Sequence, residues 1–346
     1  MTFDATTFDA MTPDALTPML ATTGPVPRRD GEWAYEVKWD GVRVLATVRD
    51  GALRLRSRPR ANTPTGNDVT GRYPELEELA GVRMAGSDAT GPFVIDGEVV
   101  LFDDDGRPSF QALQHRMHIA DPAEARRLAA ERSVVFIAFD VLWTPDGSCI
   151  DRTYDERREL LFDLVFPGER VLVPSAELGD PDDFIEFCRS RRLEGVMSKR
   201  RDSRYRPGRR SDHWVKTKFS RSQEFVVLGW TEGTGARSAH LGALLLGYHD
   251  ADGALTYCGK VGTGFDDREL RALAPELASR ARPAGDVASS IVTAVPRQKT
   301  AVHWLEPTLV VQVTFAEWSP TGNLRHPSYQ GRRSDIDPAS VVREPD

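Results

Sequence analysis

Cysteine is scarce in this chain. Cys149, Cys188 and Cys258 are spread over 346 residues with no CxxC pair, which excludes a disulfide framework and a four-cysteine zinc site. Long apolar runs are missing too, and no stretch approaches the ~20 residues that a membrane-spanning helix needs. The opening, MTFDATTFDAMTPDAL, lacks both the basic start and the apolar core of a secretory signal. A cytoplasmic protein is therefore expected, with residues 1–16 and their duplicated TFDA as a flexible leader. Positive charge is also in deficit overall. A formal balance of -7 does not by itself suggest a polyanionic partner.

What is present is ordinary in amount and uneven in placement. Hydrophobic residues make up 40% and charged residues 28%, as in a soluble globular protein. The length favours two domains over one. Between Arg191 and Arg221, however, 12 Lys or Arg stand against 3 Asp or Glu, a local +9 that leaves -16 on the rest. A cationic stripe on an acidic body suits selective phosphate contact, although a solvated basic surface is the commoner cause of such a run.

Strand patterns occur at 35–37, 42–48, 53–57, 93–102 and 134–142, interleaved with helical patterns at 74–79, 110–117, 122–131, 155–165 and 181–192. They predict an α+β domain with antiparallel sheet over residues 17–220. The texture changes at about Gln223. Strand patterns at 225–230, 241–248, 255–261 and 309–318, with one helical stretch at 267–277, predict a small β-barrel such as the OB-fold over 221–346. Residues 218–223 are the expected hinge.

Four stretches can carry chemistry. Residues 36–43 read EVKWDGVR, which taken locally is a hairpin turning at Asp40-Gly41 with a lysine on its surface. Asp96 and Glu98 alternate within a strand pattern and so share a face. Glu194-Gly195 follows a helix. Lys216 and Lys218 also share a face, where like charges repel unless an anion lies between them. Together these meet the needs of covalent nucleotidyl transfer. A lysine nucleophile must be neutral, yet with the usual pKa of about 10.4 only about one in a thousand is neutral near pH 7.4. Burial and nearby cations favour the neutral amine, which gives the lysine pair a use. Glu98 and Glu194 offer oxygen ligands for Mg2+. His115 and His118 read instead as helix surface. The glycine-rich run at 259–264 lacks P-loop spacing and reads as a barrel turn.

The motifs Lys38-x-Asp40-Gly41-x-Arg43, Ser57-Arg58, Asp96-Gly97-Glu98, Phe139-Asp140, Glu194-Gly195-Val196 and Trp214-x-Lys216-x-Lys218 occur in one order. That order resembles the ATP-dependent DNA ligases, most nearly the ligase module of bacterial end-joining ligases and their stand-alone relatives. Arg204-Tyr205-Arg206-Pro207-Gly208-Arg209-Arg210 and Leu324-Arg325-His326-Pro327-Ser328-Tyr329 strengthen that subgroup.

The resemblance implies an ATP-grasp-like nucleotidyltransferase domain followed by an OB-fold. It implies that Lys38 becomes a lysyl-AMP, that Glu36 recognises the adenine amino group and that Phe139 stacks on the ring. Arg43 and Arg58 would meet the ribose or the nick 5′-phosphate, and Glu98 the ribose and metal. Glu194 would be a second metal carboxylate, while Arg210, Lys216 and Lys218 contact phosphates. Arg333 would orient the departing pyrophosphate. ATP and Mg2+, with Mn2+ as an alternative, are the implied cofactors. Nicked double-stranded DNA is the implied partner of a monomer, and the subgroup admits a Ku-type end-binding protein beside it.

Two departures stand out. PRANTPT after Arg58 reads as a turn insertion, and Ile336 follows Arg333-Ser334-Asp335 where the family tends to have lysine. The competing readings are an mRNA capping guanylyltransferase or RNA ligase, and a noncatalytic nucleic-acid-binding module.

Overall fold

A computed structural model describes residues 12–344 apart from 30, 60–62, 64–65, 88–90, 220, 234–240, 284–290, 292–294, 297 and 299. The chain divides into two compact units between Phe219 and Ser220. Each is built from its own sheets and its own core.

In the first unit two sheets pack together. The larger runs in the order Val171–Leu172, Val135–Thr144, Phe93–Val100, Val42–Arg49, Ala52–Ser57, with Gly147–Ser148 turned back on Val135–Thr144. The smaller runs Leu20–Thr23, Arg210–Lys218, Gly195–Arg200, Trp33–Lys38. Pairing is mostly antiparallel. The exceptions are Leu20–Thr23 beside Arg210–Lys218 and Val171–Leu172 beside Val135–Thr144.

Strand alternation sorts the core into layers. From Val42–Arg49, Val42, Val44, Ala46 and Val48 pack under Leu76, Leu79, Leu113 and Leu161. Leu45 points the other way and joins Met19, Val94, Leu142, Tyr205 and Trp214 between the sheets. The outer face of the smaller sheet carries Trp33, Tyr35, Val196 and Val215, covered by Phe184, Ile185 and Cys188 of the helix Pro181–Ser190. Helix starts follow the sequence closely. Ser109, Asp121 and Asp180 each accept a first-turn N–H, and Thr153 with Glu156 forms a reciprocal capping box.

The hairpin expected at Asp40-Gly41 is not formed. Trp33–Lys38 pairs with Gly195–Arg200 in the smaller sheet, whereas Val42–Arg49 pairs with Phe93–Val100 and Ala52–Ser57 in the larger. The motif crosses between layers. Gly41 permits the crossing, since a Cβ there would lie 2.3 Å from the Val99 carbonyl oxygen. Alternation reports which residues share a face but not which strand they pair with.

The expected leader divides in two. Residues 1–11 lie outside the described residues. Beyond them Pro13–Ala15 form a 3-10 turn, Leu16 is fully buried, and the buried Arg56 guanidinium donates to the carbonyls of Pro13, Asp14 and Leu16. Much of the PRANTPT insertion also lies outside the described residues. At its base the Ser57 N–H donates to the Asn67 carbonyl at 2.9 Å.

The second unit is a sheet in the order Leu255–Val261, Leu241–His249, Arg221–Glu232, Val310–Phe315, Ser328–Arg332, with Val302–Trp304 paired to Arg221–Glu232. It is not a closed barrel, for among the described residues the first and last strands form no ladder. They approach through the glycine-rich turn instead. The Tyr329 N–H donates to the Thr263 carbonyl at 2.9 Å, and a Cβ on Gly264 would lie 2.3 Å from the Tyr329 carbonyl oxygen. The helix Asp267–Ser279 covers one face, held by Glu269, which accepts from Tyr329 at 2.5 Å and from Arg332 at 2.8 Å.

Candidate active site

Strand register brings three motifs onto one face. Gly195 lies opposite Lys38 on one side and Lys218 on the other, and Met197 lies likewise between Glu36 and Lys216. Residues opposite one another share a face. Glu36, Lys38, Met197, Lys199, Trp214, Lys216 and Lys218 therefore line one surface of the smaller sheet, its inner one. Two interstrand spacings separate the Lys38 and Lys218 backbones by about 10 Å. Gly195 keeps this register tight, because a Cβ there would lie 2.0 Å from the Thr217 carbonyl oxygen.

Lys38 contacts Glu194 directly, Nζ to Oε2, with the two side chains 16% and 9% exposed. Glu194 is held from behind, where its carbonyl accepts the Phe219 N–H at 2.9 Å. A largely buried amine against a carboxylate, with two further lysines on the same face, is an arrangement chemically able to hold an anion beside an amine.

Glu36 is buried and already bonded. Its Oε1 accepts from the Tyr154 hydroxyl at 2.6 Å, and its Oε2 pairs with Lys199 Nζ at 2.8 Å. Lys199 is the member of this face that motif reading missed. Its ammonium lies 4.4 Å from the ring centres of both Phe139 and Trp214. Burial pushes Lys199 below the usual lysine value against the opposing pull of Glu36. Period-two alternation from Gly195 through Met197 was the available signal. Phe139 is braced by its neighbour Asp140, whose carboxylate takes both Nε (2.7 Å) and Nη2 (3.0 Å) of Arg157 in a fully buried pair.

The larger sheet supplies the facing wall. Arg43 stands opposite Glu98 in register, and its guanidinium reaches diagonally to Asp96, Nε to Oδ1 at 2.9 Å and Nη2 to Oδ2 at 2.6 Å. Burial opposes the charge on Arg43, but Asp96 outweighs it and holds the guanidinium more strongly protonated than usual. The same guanidinium lies 5.4 Å from the Phe139 ring and 5.3 Å from Trp214, joining the two sheets. Gly97 leaves room for the Phe136 ring, which a Cβ would approach to 2.3 Å.

Three further residues were expected at the site. Arg58 is partly buried just beyond the strand Ala52–Ser57. Arg210 begins its strand, is exposed, and donates to the Ala21 carbonyl, six positions before Lys216. Arg333 belongs to the second unit, where it grips Asp335 (2.9 and 2.7 Å) and the Gln312 side chain (2.9 Å). Ile336 is buried there among Val226, Leu228, Leu245 and Val310. The position that departs from the family pattern is thus a core position here.

A family profile for the ATP dependent DNA ligase domain matches residues 18–218, and one for the ATP dependent DNA ligase C terminal region matches residues 237–336. The chain belongs to the ATP-dependent DNA ligase family. Among curated relatives, the multifunctional non-homologous end joining protein LigD of Mycolicibacterium smegmatis is 38% identical over 328 residues, covering 94% of this chain and 39% of that protein. The protein of the same name from Pseudomonas aeruginosa is 37% identical over 322 residues, 91% of this chain and 35% of that one. The chain therefore spans well under half the length of those relatives. A solved structure, mycobacterial DNA ligase D complexed with ATP and MES, is 36% identical with a TM-score of 0.66, covering 96% of this chain and 99% of that one. No helix among the described residues is long and apolar enough to cross a membrane.

Proposed function

We propose that this ligase seals 5′-phosphate/3′-hydroxyl nicks in duplex DNA through an adenylyl group carried on Lys38. The observation that carries the reading is the Lys38–Glu194 contact on a sheet face shared with Lys216 and Lys218. In the first step the proton leaves Nζ, for which Glu194 Oε2 is the acceptor in contact. Nζ then attacks the α-phosphorus of ATP, a P–N bond forms, the bond to the β-phosphate oxygen breaks, and pyrophosphate departs. Lys216 and Lys218 offset the charge on that leaving group. In the second step a nick 5′-phosphate oxygen takes the AMP and frees Lys38. In the third the 3′-hydroxyl displaces AMP and closes the strand.

Glu36 and Phe139 are read as the adenine contacts, Arg43, Arg58 and Glu98 as neighbours of ribose or 5′-phosphate, and Arg210 as a further phosphate contact. Arg333 is read as acting on pyrophosphate. No group of three His, Cys, Asp or Glu side chains converges as a metal cluster among the described residues. Mg2+ commonly needs only one or two carboxylates, with substrate phosphates and water completing its shell. Glu98 and Glu194 suit that role, and a bound Mg2+ or Mn2+ would supply charge neutralisation on the phosphates. The names of the mycobacterial and Pseudomonas relatives favour end joining as the setting. The +9 stripe should make DNA affinity fall as salt rises.

Incubation with labelled ATP or GTP, followed by mass mapping of the adduct and a nick-sealing assay, tests the reading. An adenylyl group on Lys38 from ATP, transferred to nicked DNA, is expected. Label from GTP alone would instead favour the capping-enzyme reading.

A further inference from the structure

Tyr205 takes no part in the transfer steps, yet its hydroxyl sits where four stretches of chain meet. The side chain is 3% exposed. Its hydroxyl donates to Asp96 Oδ2 at 2.6 Å and accepts from the Met19 backbone N–H at 2.8 Å. Asp96 in turn accepts from Arg43, and Arg43 Nη1 donates to the Met19 carbonyl at 2.6 Å. The four residues thus close a ring, Tyr205 to Asp96 to Arg43 to Met19 and back. Arg43 Nη2 adds a cross-link to the tyrosine oxygen at 3.3 Å.

The ring determines where Arg43 can be. A guanidinium has five N–H donors in a rigid plane, and here one edge is committed to Asp96, a second group to Met19 and a third contact to Tyr205. Phe139 and Trp214 are left beside the guanidinium, within 5.4 Å and 5.3 Å. Met19 is the sensitive corner. Its N–H relies on Tyr205, and its carbonyl holds Arg43, so loss of the hydroxyl loosens both ends at once. The tyrosine ring itself is held separately, by an edge-on contact to Trp214 at 5.6 Å and by Arg157 at 5.6 Å from its centre.

We propose that Tyr205 is a positioning residue for the nucleotide, its hydroxyl fixing Arg43 and through it the Phe139 ring against which the base stacks. This rests on the reading of Phe139 as a base contact. The test is the ATP dependence of lysyl-AMP formation in the full chain carrying Tyr205→Phe, Asp96→Asn, Arg43→Lys or Tyr205→Phe with Arg43→Lys. Removing a hydrogen bond to a charged group should raise the KM for ATP about tenfold in Tyr205→Phe, with the rate at saturating ATP within about threefold of wild type. The double variant should be no worse than Arg43→Lys alone, because both break one ring. Asp96→Asn, which breaks the same ring at another corner, should raise KM in the same direction. A KM that stays at the wild-type value while only the melting temperature falls overturns the proposal, as do effects that multiply in the double variant. Absence of an adduct on Lys38 in the wild type would sink the underlying site reading instead, which keeps the two failures distinct.

Discussion

The two faces of the smaller sheet use the same three strands for opposite ends. Even-numbered positions of Trp33–Lys38 and odd-numbered positions of Gly195–Arg200 carry Glu36, Lys38 and Lys199 to the inner face. The alternate positions carry Trp33, Tyr35, Val37 and Val196 to the outer face, under the helix Pro181–Ser190. The inner face collects charge that would be costly to bury alone and keeps it by pairing, Lys38 with Glu194 and Lys199 with Glu36. The outer face supplies the apolar burial that holds these strands in place. The proposed chemistry on one side is thus supported by packing on the other, a residue apart along the chain.

That division can be broken on either side. Lys38→Ala should cut nick sealing by at least about a thousandfold and abolish the adduct, with the fold retained but the melting temperature lowered, since Glu194 loses its partner. Gly195→Ala should injure both faces. The Cβ would meet the Thr217 carbonyl at 2.0 Å, so about 3 kcal/mol of stability should be lost in urea unfolding, with sealing reduced about tenfold or more. Val196→Ala touches the outer face alone. It should cost about 2 kcal/mol and leave the KM for ATP within about twofold. A large KM change there would mean that the faces are not separable.

The smallest expected effect is a slope. Burial lowers the Lys199 value, so below the usual lysine range the native state binds fewer protons than the unfolded chain. Stability from this group should therefore rise with pH between the native Lys199 value and about 10.4. Urea midpoints of wild type and Lys199→Met from pH 7 to 9.5 should diverge in that direction, with the wild type gaining. Tyr154 and Tyr205, pushed up chiefly by burial, act in the opposite sense only above the usual tyrosine value. Parallel curves would mean that Lys199 keeps its proton throughout.

Much of the site was legible because its signals are local. Helical periodicity, strand alternation and the shared face of Lys216 and Lys218 depend on residues near one another in sequence. The partners of Arg43 were not legible. Met19 and Tyr205 lie 24 and 162 positions away from it in the chain. The false hairpin at Asp40-Gly41 failed for the same reason, since two alternating runs either side of a turn pair equally well with strands elsewhere. Tyr154 beneath Glu36 gave no sign in the sequence, because a tyrosine at a helix start is usually only a packing residue.

The order of side chains along the strands, the run of lysines and carboxylates proposed to act on the nucleotide, and membership of the ligase family are properties the amino-acid sequence determines unaided. Covalent neighbours and period-two geometry suffice for them. Tertiary structure alone decided that Lys38 meets Glu194, that Lys199 is drawn beneath Phe139, and that a tyrosine hydroxyl closes a ring around Arg43. Those contacts join residues far apart in the chain, and only the burial of two sheets against each other brings them within hydrogen-bonding reach.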